Sequence, residues 1–153
     1  MKRTDQLLIE HLRKNARETL TSISRKTKIP ISTLYDKLKL HEKSVIVKHA
    51  TIVDFSKLGY NCRANIFLKV ERDLREKLCG YLKAHSSVNN LFKVNNGFDF
   101  LVEGVFESVR RMEDFLEEIE TAFKLEEKKA HYIIEDLKRE GFMSLEAGQR
   151  TFL

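Results

Sequence analysis

The sequence predicts an α+β chain of two units, a trio of short helices followed by a β-α-β-β-α-β sheet. Three observations carry this. Residues 19–43 hold two short amphipathic segments that meet at a break, Lys28-Ile29-Pro30. From Cys62 the apolar residues alternate singly instead of recurring at helical spacing. Charge divides along the same line: residues 1–58 hold 13 Lys+Arg against 6 Asp+Glu, a formal +7, and residues 59–153 hold 15 against 17, a formal −2.

Thr4 is expected to cap a first helix whose inner face carries Leu8 and Leu12 and which ends near Asn15. Leu20 and Ile23, three apart, mark the inner face of a second helix; Leu34 and Leu38, four apart, mark that of a third. Pro30 lacks a backbone N–H and is tolerated only at a helix start, so it separates the two. Val45 to Val53 is rich in β-branched residues and reads as a short β-ribbon packed behind the helices. Three helices and a ribbon make a winged helix-turn-helix over residues 1–54, with 55–60 as a linker.

In residues 61–136, Cys62, Ala64, Ile66, Leu68 and Val70 alternate with polar residues and Phe67, the pattern of a strand with one buried face. Leu74, Leu78, Leu82 and His85 return to helical spacing. Val88 to Val94 is a second strand, and Asn95-Asn96-Gly97 a hairpin turn, because Asn and Gly accept positive φ. Phe98 to Phe106 alternates again, with Phe98, Phe100, Val102 and Phe106 on one face. Val109, Met112, Leu116, Ile119 and Phe123 form the stripe of a further helix, and Lys129 to Glu135 is the last strand. This order folds as an antiparallel, ferredoxin-like sheet with both helices on one face. Residues 137–153, weakly periodic, are read as a C-terminal tail.

Composition bounds the function. Of 153 residues, 42% are hydrophobic and 33% charged, as in globular proteins. No apolar run approaches the roughly 20 residues of a membrane span, and the N-terminus mixes acids and bases into its apolar pattern, unlike a signal peptide. Cys62 and Cys79 lie outside any CxxC pair and are read as small buried hydrophobes in a reducing cytoplasm. His11, His41, His49, His85 and His131 are scattered without metal-ligand spacing, and no P-loop or nucleophile-elbow motif occurs. The expectation is therefore binding, with neither catalysis nor a cofactor.

The binding surface is sought on the third helix. Ser32, Thr33, Tyr35, Asp36, Lys37 and Lys39 point away from its apolar stripe, and hydroxyls, an aromatic and lysines suit a DNA major groove. Ser32, Thr33, Tyr35 and Asp36 are candidates for base edges. Lys37, Lys39, Lys43 and Lys48 are candidates for phosphates, supported by Arg25, Lys26 and Lys28. So small a unit makes few base contacts, and useful specificity needs at least two copies on double-stranded DNA. The sheet can supply the pairing, since helices cover only one face; Phe67, Leu101 and Val105 on the other would form an apolar patch.

Four stretches resemble the Lrp/AsnC (feast/famine) transcription regulators. Asp5-Gln6-Leu7-Leu8-Ile9, Leu12 and Asn15-Ala16-Arg17 are similar to that family's first helix and its exit. Ile31-Ser32-Thr33-Leu34, Lys37-Leu38 and Glu42 resemble the recognition helix, and Val45-Ile46, Val53-Asp54 and Leu58-Gly59 the wing and linker. Val94 to Phe100 resembles the family's effector loop. Lys28 stands where the family has a turn glycine, Ser44 where it has another, Lys37 for an arginine, and His41 for a core leucine whose place Leu40 or a shifted register is expected to fill.

The resemblance implies a winged helix-turn-helix joined to a "regulation of amino acid metabolism" (RAM) domain. It implies homodimers through the open sheet face, assembled further into octamers, and an amino-acid effector between subunits at Asn95, Asn96, Gly97, Phe98 and Asp99. Asp99 would there pair with an ammonium. A second reading stays open, a ligand-sensing or protein-interaction module of the same fold that does not bind DNA.

Overall fold

The computed structural model describes residues 2–144, which divide into two units, one of residues up to Ile52 with the segment from Leu137 on, the other Val53–Asp136. In the first unit three helices, α1 (Arg3–Lys14), α2 (Leu20–Thr27) and α3 (Ile31–Glu42), close around Leu8, Ile23 and Leu34, all fully buried. Leu12, Leu20, Ile29 and Leu38 pack against them, so each apolar spacing in the sequence found its core. Lys2 occupies the cap position of α1 with no side-chain cap bond; Thr4 lies inside the helix. Thr19 does cap α2, its side chain accepting from Ser22 N.

The expected ribbon does not form. Among the described residues, 45–52 enter no strand: Val45 lies in the turn after α3, its N–H and that of Ile46 both donate to the His41 carbonyl at 2.8 Å, and Val47 is 96% exposed. The run has no Gly or Asn at its centre to favour a tight hairpin turn, and its β-branched side chains alone do not supply a pairing strand. Leu40 is also exposed; the leucine position is filled by His41 itself, buried at 7% exposure.

In the second unit, a 3₁₀ turn (Phe55–Leu58) ends on Gly59 at φ 91° and leads into β1 (Cys62–Lys69). There follow α4 (Arg75–Ala84), β2 (Val88–Lys93), β3 (Phe100–Phe106), α5 (Val109–Phe123) and β4 (Glu127–Tyr132). The strands order β2-β3-β1-β4, every pairing antiparallel, which is the ferredoxin-like arrangement. Alternation puts Cys62, Ala64, Ile66 and Leu68 of β1 into one core with Leu78 and Leu82 of α4 and Met112, Leu116 and Ile119 of α5. Phe115 also enters it, whereas Val109, expected in the stripe, is exposed on the first turn. No helix among the described residues is long and apolar enough to cross a membrane.

Two strand assignments shift. β4 ends at Tyr132 instead of running to Glu135; Ile134 is fully solvated, and the true strand, Glu127–Tyr132, is mostly polar because it is an edge. Phe98 precedes β3 and turns to the opposite face from Phe100, its ring centroid 5.4 Å from that of Phe67. The positive φ of Asn96 (62°) and Gly97 (96°) breaks the alternation just before it. Of the tail expected over 137–153, residues 137–144 group with the helical unit, where Arg13 donates to the Phe142 carbonyl at 2.8 Å; the rest lies outside the described residues.

Candidate nucleic-acid interface and effector loop

The break between α2 and α3 is held by side chains. Ser24 Oγ donates to the Ile29 carbonyl at 2.6 Å and Thr27 Oγ1 to that of Ile23 at 2.8 Å. Lys28 adopts φ 60°, ψ 22°, a left-handed conformation that favours glycine. Beyond it, Ser32, Tyr35, Asp36, Lys39 and Lys43 are exposed along one face of α3, three or four residues apart. Lys39 Nζ lies 5.7 Å from the Tyr35 ring centre and 3.5 Å from Glu42 Oε2. Arg25, Lys26, Lys28 and Lys48 are exposed and Thr33 half-buried.

Lys37 departs from the expectation. Its Nζ is turned inward, 2.5 Å from Asp5 Oδ1, so it is not on the free face. The same oxygen lies 3.2 Å from His41 Nε2. The Lys37 hydrogen bond, followed by that of His41, holds the Asp5 carboxyl below its ordinary value against the opposing effect of burial. This cluster was missed from sequence, although Asp5 stands three residues before Leu8 on the inner stripe of α1. Lys26 is likewise engaged, 2.5 Å from Glu18 Oε1. Glu18 also accepts from Ser22 Oγ and faces His11 Nδ1 at 2.9 Å, and these contacts, the Lys26 bond first, hold it down at about 2.

The loop after β2 is a hairpin whose acid is already occupied. Asp99 Oδ2 accepts from the Val70 N–H at 3.0 Å, and its Oδ1 meets Arg75 Nε at 2.8 Å. Asn95, Asn96 and Gly97 are exposed, and Lys129 Nζ sits 5.1 Å from the Phe98 ring centre.

On the face of the sheet opposite the helices, the strand register aligns Phe92, Leu101, Phe67 and Lys129 in one row across all four strands. Phe92 is exposed and Leu101 and Phe67 half-buried; Val105, expected to be open, is buried within its own chain. Beside this row Arg63 pairs with Glu103 at 2.9 Å and Asp136 at 2.6 Å. Burial pushes Glu103 up, but bonds from Asn90, Arg63 and Asn89 prevail and hold it below its ordinary value.

No family model matches the chain. The HTH-type transcriptional regulator FL11 of Pyrococcus furiosus is 27% identical over 114 residues, covering 74% of this chain and 76% of that protein. In three dimensions the chain is similar to the transcriptional regulator NMB0573 of Neisseria meningitidis, solved with L-Met. The TM-score is 0.83 at 17% identity, covering 91% of this chain and 93% of that one. LrpC of Bacillus subtilis superposes with TM-score 0.82 at 19% identity, over 90% and 97%. A helix-turn-helix unit joined to a ferredoxin-like unit defines the class, and the chain shares the fold of these transcriptional regulators.

Asp99→Ala strips the Val70 N–H of its acceptor and should destabilise the ferredoxin-like unit by about 1–3 kcal/mol with no ligand present, read from urea unfolding. A substitution neutral in stability would show Asp99 held for another purpose.

Proposed function

We propose that this chain is a DNA-binding transcription regulator of the Lrp/AsnC type, acting as a dimer or higher oligomer. The observation that carries the reading is the outer face of α3, where Ser32, Tyr35, Asp36, Lys39 and Lys43 stand exposed on a rigid three-helix unit of strongly basic composition. Lysines there neutralise phosphates, while hydroxyls, the Tyr35 ring and Asp36 reach base edges; cytosine N4 is a donor that Asp36 can accept from. Lys28, Arg25 and Lys48 extend the cationic margin. FL11 is named as a transcriptional regulator and supports the same reading. The work is binding, and it belongs with DNA in the cytoplasm.

A second copy of the chain is the partner for the open sheet face. Phe92, Leu101, Phe67 and Phe98 form an apolar patch there, and residues 46–52 are a β-branched run with no ladder partner among the described residues. The effector reading rests on the turn Asn95-Asn96-Gly97 with Phe98, and on the L-Met complex of NMB0573. An amino acid binding here must displace Arg75 from Asp99 if its ammonium is to use that carboxylate.

Three measurements test this. Replacing Lys39 and Lys43 with alanine should weaken binding to every duplex and flatten the salt dependence by about one unit per lost phosphate contact. Unchanged affinity and slope would remove α3 as the docking element and favour a module that does not bind DNA. Leu101→Asp places an unpaired charge in the interface, at a cost of several kcal/mol, and light scattering should show monomers; a monomeric wild type at micromolar concentration sinks the dimer. In a melting screen of the twenty amino acids, a ligand at 100 times its dissociation constant should stabilise the protein by about 2.7 kcal/mol. If none shifts the transition, residues 95–99 are a structural hairpin only.

A further inference from the structure

The helical unit contains a buried carboxylate claimed by two bases. Asp5, from the first turn of α1, is 8% exposed, and its Oδ1 meets both Lys37 Nζ at 2.5 Å and His41 Nε2 at 3.2 Å. Lys37 and His41 stand one turn apart on the same flank of α3. The His41 side chain is only 9% exposed, and its Nδ1 is buried without a hydrogen-bond partner among the described residues. With a neutral imidazole, Asp5 and Lys37 cancel in charge. A protonated imidazole leaves two cations on one oxygen and a net positive charge in a poorly solvated seam, which their mutual repulsion opposes.

The two bases differ in how they can leave. His41 has a short side chain enclosed by the seam, whereas Lys37 has a four-carbon stem and 21% of its side chain already in solvent. Repulsion is therefore relieved by Lys37 moving outward. We propose that protonation of His41 takes Asp5 from Lys37 and releases Lys37 to the exposed flank of α3, where it adds a phosphate contact, so that DNA affinity rises as pH falls. The proposal rests on the DNA-binding reading above. His41 Nε2 meets Asp5 from α1, and Lys37 from α3 itself shares that oxygen; the segment from Leu137 that groups with this unit carries Lys138, Arg139 and Glu140, the last on Arg13 of α1. α2 carries Arg25 and Lys26, both exposed, the latter on Glu18; the run after α3 carries Lys43, Lys48 and His49, also exposed, with His49 Nε2 3.9 Å from Glu42.

The test measures duplex affinity at several salt concentrations between about pH 8 and 6, the range in which histidine side chains titrate. The wild type should bind several-fold more tightly at the acid end, with a salt slope steeper by about 0.9, one phosphate contact. His41→Leu and His41→Gln keep every other histidine and should lose this increment; Lys37→Ala should lose it too. The same pH dependence in the wild type and either folded His41 variant, or its persistence in Lys37→Ala, overturns the proposal. A second arm needs neither DNA nor a variant: NMR should show the Lys37 ε-methylene shifting with the same midpoint as the His41 ring. A Lys37 signal indifferent to that titration also overturns it. Failure to bind DNA at any pH would instead sink the functional reading and leave this arm to decide the switch.

Discussion

The central strand β1 is the constraint on which the second unit depends. It is hydrogen-bonded to β3 on one side and β4 on the other, and side chains alternate strictly along it. That alternation sends Ala64, Ile66 and Leu68 into the core under α4 and α5, and sends Arg63, Asn65 and Phe67 to the open face. A slip of one residue would exchange the two sets, burying a guanidinium under the helices and exposing three aliphatic side chains. The end of the strand is pinned as well. Asp99 ties the Val70 N–H, just past β1, to Arg75 at the start of α4, so strand end, hairpin and helix start share one carboxylate. The acid that resemblance suggested for an effector is thereby part of the framework.

In the helical unit the cations divide into two groups by what they touch. Lys26 and Lys37 serve carboxylates inside the unit, Glu18 and Asp5. Lys28, Lys39, Lys43 and Lys48 remain on the surface, so the formal +7 of the first 58 residues overstates the charge offered to a polyanion from α3. The surface lysines are point charges on flexible stems, suited to phosphates and poor at the planar two-point recognition that arginine makes with guanine. In the proposed reading, base discrimination on this helix would fall to Ser32, Tyr35 and Asp36. The Lys39 ammonium lies near the Tyr35 ring.

The open sheet face and the unpaired run after α3 share a physical logic. Each is competent for secondary or tertiary structure that one chain leaves unfinished, an apolar row in one case and a β-branched strand in the other. In the proposed assembly a second copy would complete both without any new element, and a small chain with two modest cores would present two copies of α3 at once.

Much of this was set by local pattern and so legible from residue order. Helical spacing located Leu8, Ile23 and Leu34; period-two alternation located β1; Asn-Gly located the hairpin; Pro30 located the start of α3. Those signals are local because steric and hydrogen-bonding rules act over a few residues. What the tertiary structure decided depends on groups distant in sequence. The pairing of Lys37 and His41 with Asp5 spans 32 and 36 residues, and that of Arg75 with Asp99 links a helix start to a hairpin. Val45–Val53 reads as strand from its β-branched side chains, yet ladder hydrogen bonds need a partner, and among the described residues none pairs with residues 45–52. Whether a lysine faces DNA or a buried acid, and whether an aspartate awaits a ligand or holds a strand end, is an electrostatic choice. Position along the chain cannot express that choice, because the partner's location in space makes it.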